Sequence, residues 1–304
     1  MTGDSITDAE ALRKADVGLC MGSGCEVAKD NSDLIILDND FYSIYRSIKY
    51  GRAIFDNIRK FVQFQLTINI TICFITILGG CTTGRVPLNI IQMLWVNLIM
   101  DVLGAIALGT EAPRVESDTR ISRKDGIVTP FLWRSIICMS IYQIIIMMIL
   151  MYFGEMMFFK ESFNLITAPL REPHSVNPAD PLKLDTIQFY VFIVMNLFNQ
   201  FNCRIVEEGK YNIFAGLWRN VFFILIVGFE FFLTWAMVDI GATNIGSSLI
   251  GTANITPMEH LAVWLFGAST LLVGLIIKKI PIGPFKKVAA HIDLESEDSN
   301  DKLS

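Results

Sequence analysis

The chain has 304 residues, of which 52% are hydrophobic and 18% charged, with a formal net charge of −5. A soluble domain of this length usually carries fewer apolar and more charged residues, so the composition points to a membrane protein. The basic residues mark the edges of apolar blocks instead of forming one patch, which argues against nucleic acid as a partner, and residues 1–15 have no apolar core of a secretory signal.

Residues 1–60 are polar enough to lie in the cytosol. Asp16 to Met21 reads as a short buried strand, and Gly24 to Asn31 accommodates one short helix. Asp33 to Asp38 is an apolar run bounded by acids, which suits a parallel strand. From Phe41 a helical pattern with Ile44, Ile48 and Ile54 runs on to Lys60. Strand, helix, strand, helix is half of a doubly wound α/β domain. Six apolar blocks follow, and a spanning helix needs roughly 20 such residues. They predict six transmembrane helices at about 61–83, 86–110, 131–156, 186–204, 219–239 and 259–279. The fold class expected is mostly α, with a six-helix transmembrane bundle over 61–280 after a partial α/β domain and stalk helix over 1–60.

Orientation follows from Lys and Arg. Arg46, Lys49, Arg52, Arg59 and Lys60 precede the first block; Arg114, Arg120, Arg123, Lys124 and Arg134 lie between the second and third; Arg204, Lys210 and Arg219 flank the next even-numbered junction; Lys278, Lys279, Lys286 and Lys287 follow the last. The opposite side holds only Arg85, Lys160, Arg171 and Lys183. Both termini are therefore expected in the cytosol, including the acidic tail over 281–304. The 154–185 loop and Gly241 to Pro257 are expected on the outer side. The sequon Asn254-Ile255-Thr256 falls there, but Pro257 follows it and a plain polar loop is the favoured reading. The six cysteines form no C-x-x-C pair and are read as reduced and structural.

Polar residues inside the spans carry the functional signal. Asp101 is the single acid of the second block, and Asn97 precedes it by four residues, so an α-helix places both on one face. A carboxylate and a carboxamide oxygen are hard ligands suited to calcium or a similar cation. Asn69 lies midway along the first span, and Asn196, Asn199 and Gln200 in the fourth. Asn199, Gln200 and Asn202 read as hydrogen-bonding glue between helices. Glu230, the other intramembrane acid, reads as protonated or paired with a neighbouring helix. Gly79-Gly80 and Gly104 are expected to allow close packing or local unwinding.

The order of these features resembles the P-type ATPases, specifically the plasma-membrane type of calcium pump. Thr2-Gly3-Asp4-Ser5-Ile6-Thr7-Asp8-Ala9-Glu10-Ala11-Leu12 is similar to the family's TGDGxNDxPAL hinge motif, and Ala15 to Gly22 continues it. Gln92 to Asp101 looks like the ion-binding span, and Phe64 to Asn69 like the span before it. The resemblance covers the chain apart from the acidic tail. It implies that residues 1–60 are the C-terminal remnant of a HAD-like phosphorylation domain. It also implies that Asp4 and Asp8 serve magnesium, and that Asn97, Asp101, Asn69 and Asn196 are candidate ligands of transported calcium. Ile72 and Asn196 stand where two-site pumps place acids, which favours a single ion site. Ser5, Thr7 and Glu10 depart from the motif's glycine, asparagine and proline.

No DKTGT phosphorylation segment occurs, nor a nucleotide-binding domain, an actuator domain or four preceding spans. ATP hydrolysis is therefore expected to need an N-terminal part of the same pump, which binds ATP, and not this sequence alone. The leading expectation is the C-terminal part of an ATP-driven calcium pump in a lipid bilayer, at the plasma membrane more than an internal store. The alternatives are a truncated, non-catalytic pump remnant with a binding or regulatory role, and a pump for another cation. Plasma-membrane calcium pumps often bind calmodulin, but Pro281, Gly283 and Pro284 oppose an amphipathic helix over Lys278 to Lys287. That stretch reads instead as a basic membrane anchor.

Overall fold

A computed structural model of the chain describes residues 1–82, 84, 87–111, 126–158, 179–205, 216–241, 252–283 and 285. They fall into two compact units, one built on Met1–Asp56 and the other starting at Asn57. The acidic tail from residue 286 and most of the 154–185 loop lie outside the described residues.

In the first unit three short parallel strands form one sheet in the order β1 (Thr2–Gly3), β2 (Leu19–Met21), β3 (Leu34–Ile36). Thr2 pairs with Leu19, and Leu19 with Leu34. Both expected strands are present, trimmed to three residues each. β1 is a pair of residues, too short to show any alternation in sequence. Helices α1 (Ala9–Lys14) and α2 (Glu26–Asp30) follow the first two strands. Leu12, Cys20 and Ala28 make one small core, and Leu19, Ile36 and Ile44 another. Past β3, the Ser43 hydroxyl donates to Asp38, and the Asp40 amide does the same. These bonds hold the exposed Asp38 carboxyl below its usual range.

Helix α3 runs unbroken over Phe41–Thr82, 42 residues, so the expected stalk helix and first span are one element. No proline interrupts it, and Gly51 stands in open space. In the second unit the next span is not one regular helix. It comprises α4 (Ile90–Leu94), a π-helical stretch over Trp95–Met100, and α5 (Asp101–Gly109). A capping box between Asn89 and Gln92 starts it. Then come α6 (Pro130–Phe158), α7 (Ala179–Cys203), α8 (Val221–Gly241) and α9 (Pro257–Ile277).

Among the described residues five helical stretches are long and apolar enough to cross a membrane, against the six expected. The difference is α7. It carries Gln188, Asn196, Asn199, Gln200 and Asn202, all buried, and these carboxamides lower its mean hydropathy. Yet α7 is the core of the unit: every residue from Thr186 to Leu197 is buried. It packs closely on α9, where Gly267 and Gly274 leave no room for a Cβ against Val194 and Asn202. Asn202 donates to the Thr270 carbonyl at 3.0 Å, which is the bridging role expected of it.

Midway along α3, at the C-terminal ends of α5 and α7, lies a buried ionic cluster. Glu111 pairs with Lys60 at 2.6 Å and with Arg204 at 3.3 Å. Asn57 donates to the Gly109 and Glu111 carbonyls, tying the start of the first span to the end of the second. The Arg204 guanidinium also lies over the Phe223 ring of α8.

Candidate intramembrane cation site

Asp101 opens α5 immediately after the π-helical stretch. Its amide donates to the Val96 carbonyl, five residues back, where an α-helix would use that of Asn97. Such a stretch shifts the backbone register within an otherwise helical span, and π-bulges of this kind often sit at functional sites. Of the close packing or local unwinding expected at Gly104, the structure shows close packing, and the irregular backbone lies a few residues earlier. A Cβ there would lie 2.8 Å from Phe64 Cε1 and 3.0 Å from Gln200 Nε2. That close approach brings α3 and α7 onto α5.

The Asp101 side chain is buried, with 8% exposure. Gln65 of α3 donates through Nε2 to Asp101 Oδ2 at 2.6 Å. Asp101 Oδ1 and Gln65 Oε1 are both buried without a hydrogen-bond partner. The pair therefore presents two hard oxygen acceptors with no donor between them, the chemistry that a cation or a proton satisfies. Gln65 belongs to the recognised Phe64 to Asn69 stretch, but spacing within one span gives no sign that it reaches Asp101 on another.

Among the described residues the remaining sequence candidates make no hydrogen bond to the Asp101 side chain. Asn97 and Asn69 are exposed on the second and first spans. Asn97 is thus exposed where Asp101, four residues on, is buried. Asn196 is fully buried and engaged at both ends of its carboxamide. It accepts from Gln143 Nε2 at 3.0 Å and donates to the Phe192 carbonyl at 2.9 Å. Gln143 in turn accepts from the Thr71 hydroxyl at 3.1 Å. This chain of bonds ties α3, α6 and α7 together. Gln143 was not singled out from the sequence, although it is a carboxamide within a charge-free block.

In the first unit Asp8 accepts from the Asp4 and Ser5 amides through Oδ2, each at 3.3 Å. Ser5 and Asp8 form a capping box on the turn Ile6–Asp8. The Asp4 side chain is exposed. Asp8 thus holds the turn with one carboxylate oxygen, and Asp4 is the freer acid. Among the described residues no group of three or more His, Cys, Asp or Glu side chains converges as a metal site.

Residues 85–280 match the family model described as the C-terminus of cation transporting ATPases. The chain is 38% identical over 285 residues to calcium-transporting ATPase 1, plasma membrane-type, of Oryza sativa subsp. japonica, covering 93% of this chain and 25% of that protein. It is 40% identical over 242 residues to calcium-transporting ATPase 12, plasma membrane-type, of Arabidopsis thaliana, covering 79% of this chain and 21% of the relative. The chain thus spans about a quarter of the length of these relatives.

Proposed function

This chain belongs to the cation-transporting P-type ATPases, and on that premise we propose that it is the C-terminal membrane part of a calcium pump and supplies Asp101 to the transported ion. The observation that carries the reading is the Gln65–Asp101 pair, with one unpartnered buried oxygen on each side chain next to a π-helical break. Calcium takes oxygen ligands from carboxylates, carboxamides and backbone carbonyls. Asp101 contributes charge and Gln65 a neutral oxygen, so Gln65 joins the candidate ligands.

Asn69 and Asn97 extend the site from the exposed side. A carboxamide on the outside of an apolar span is costly against lipid, which supports a further segment of the pump covering that side. Asn196 holds helices together through Gln143 in this arrangement, and coordination by it requires that bond to open. The fourth apolar block, α7, brings the spans to six: enclosed by other helices, it tolerates carboxamides that lipid would not. Both termini then lie on the cytosolic side, as the Lys and Arg distribution requires.

The first unit is read as the remnant of a HAD-like phosphorylation domain, on the strength of its parallel sheet and the hinge-like Thr2 to Leu12. Magnesium is usually held by one or two carboxylates together with phosphate oxygens. The exposed Asp4 fits that role, and Asp8 fits as the residue that fixes the turn and offers its second oxygen. Magnesium there would offset phosphate charge. ATP and the phosphorylated aspartate belong to the N-terminal part of the complete pump.

The test uses the full-length pump. Asp101→Asn abolishes calcium-dependent phosphoenzyme formation from ATP, and Gln65→Leu raises the calcium needed for half-activation about tenfold, the scale of one hydrogen bond to a charged group. Normal calcium-dependent phosphorylation in Asp101→Asn overturns the reading.

A further inference from the structure

A second buried carboxyl lies elsewhere in the bundle. Glu230, midway along α8, is 2% exposed, and Gln200 of α7 is fully buried beside it. Gln200 Nε2 donates to Glu230 Oε1 at 3.1 Å. The other two oxygens, Glu230 Oε2 and Gln200 Oε1, are buried with no hydrogen-bond partner. Among the described residues no Lys, Arg or His forms an ion pair with Glu230. Thr234, one turn on, spends its hydroxyl on Glu230's own backbone carbonyl. Gly104 of α5 abuts Gln200: a Cβ there would lie 3.0 Å from its Nε2 and 2.8 Å from Phe64 Cε1.

As a carboxylate, Glu230 would be a lone charge in an apolar bundle, and two buried acceptor oxygens would be left unsatisfied, which is unfavourable. A single proton removes both problems. Placed on Glu230 Oε2, it donates to Gln200 Oε1. The acid and the amide then exchange one hydrogen bond in each direction and close a ring. A proton closes this ring with the two side chains alone, whereas a metal ion would need further oxygen ligands.

We propose that Glu230 is a proton-binding site of this membrane domain, separate from the Asp101 site, and that the neutral acid forms a two-bond acid–amide ring with Gln200 that locks α8 to α7. Glu230 neither coordinates the transported cation nor titrates with it. This inference does not depend on which ion Asp101 binds.

The pair predicts a distinctive mutational response. In Glu230→Gln the new Nε2–H takes the place of the Oε2–H, and an amide–amide ring keeps both bonds. In Glu230→Leu both bonds are lost and Gln200 is stranded. The experiment compares the full-length pump with both variants in membranes. Infrared difference spectra of wild type against Glu230→Gln are expected to lose one protonated-carboxyl C=O band. Loss of a carboxylate band instead overturns the proposal. The thermal midpoint of Glu230→Gln is expected to stay close to wild type, while Glu230→Leu falls by several degrees. A Glu230→Gln variant as unstable as Glu230→Leu overturns it. Half-activation by calcium in Glu230→Gln is expected within twofold of wild type, and a tenfold weakening makes Glu230 a cation ligand and overturns the proton site. Unchanged calcium activation in Asp101→Asn would remove the calcium reading and leave the Glu230 ring standing.

Discussion

Asp101–Gln65 and Glu230–Gln200 are the same motif in two settings. In each, a glutamine from another helix donates one N–H to one carboxyl oxygen, at 2.6 Å in the first and 3.1 Å in the second. In each, the two remaining oxygens are buried and unpartnered. The surroundings differ. Asp101 follows a π-helical stretch, and exposed carboxamides, Asn97 and Asn69, stand on its own span and on that of Gln65. Glu230 sits in an unbroken helix, and the carboxamide it meets is fully buried and abuts Gly104 of α5. One setting has an irregular backbone and exposed carboxamides; the other lies on a regular helix against the enclosed α7. The comparison teaches that an intramembrane acid is not a cation site by its presence, and that its neighbours decide between metal and proton.

The largest expected effect separates the two directly. Asp101→Asn removes the carboxylate charge and eliminates calcium-dependent phosphorylation in the full-length pump, whereas Glu230→Gln leaves it intact. A pump in which both substitutions are equally damaging would break the comparison.

A third buried polar group sets the scale for a true ionic cluster. Glu111 holds Lys60 and Arg204, and all three side chains are at most 10% exposed. Glu111→Ala leaves two cations buried together and should cost about 3–5 kcal/mol of stability, measured by chemical or thermal unfolding. Gln200→Leu, which strands a neutral acid, should cost less, about 1–3 kcal/mol. Equal losses would mean that Glu230 is charged.

Gly104 stands between the two pairs and tests whether they are independent. Gly104→Ala pushes a methyl toward Phe64 and toward Gln200 Nε2, and should cost about 1–3 kcal/mol by overpacking. If the pairs are separate, its effect on half-activation by calcium is small compared with that of Gln65→Leu.

Much of this was legible in the sequence, for identifiable reasons. The strand–helix–strand order of the first sixty residues and the apolar blocks follow from hydrophobic runs, which are local. Asp101 stood out because a lone acid in an apolar span is costly. Two kinds of feature were hidden. Partners across helices, such as Gln65 for Asp101 and Gln143 for Asn196, depend on which faces meet, and one chain's spacing does not reveal that. The π-helical register over Trp95–Met100 is the other, because a periodicity of 3.6 was assumed where the backbone takes a wider turn.

The smallest effect bears on the same point from the opposite direction. Asn69 and Asn97 are exposed and, among the described residues, make no side-chain hydrogen bond between helices, whereas Asn196 accepts from Gln143 and donates to Phe192. Replacing either exposed asparagine by leucine should shift the stability of this membrane domain by no more than about 0.5 kcal/mol, as for a surface change away from structural features. Asn196→Leu strands the buried Gln143 amide and should cost about 1–3 kcal/mol. Unfolding of the three variants under one set of conditions gives the ranking. If Asn97→Leu proves as costly as Asn196→Leu, Asn97 is already committed within this fold and is no longer free for a cation. If it proves silent in stability yet weakens calcium activation of the full-length pump, the exposed side of the Asp101 site is where the remaining ligands meet the ion.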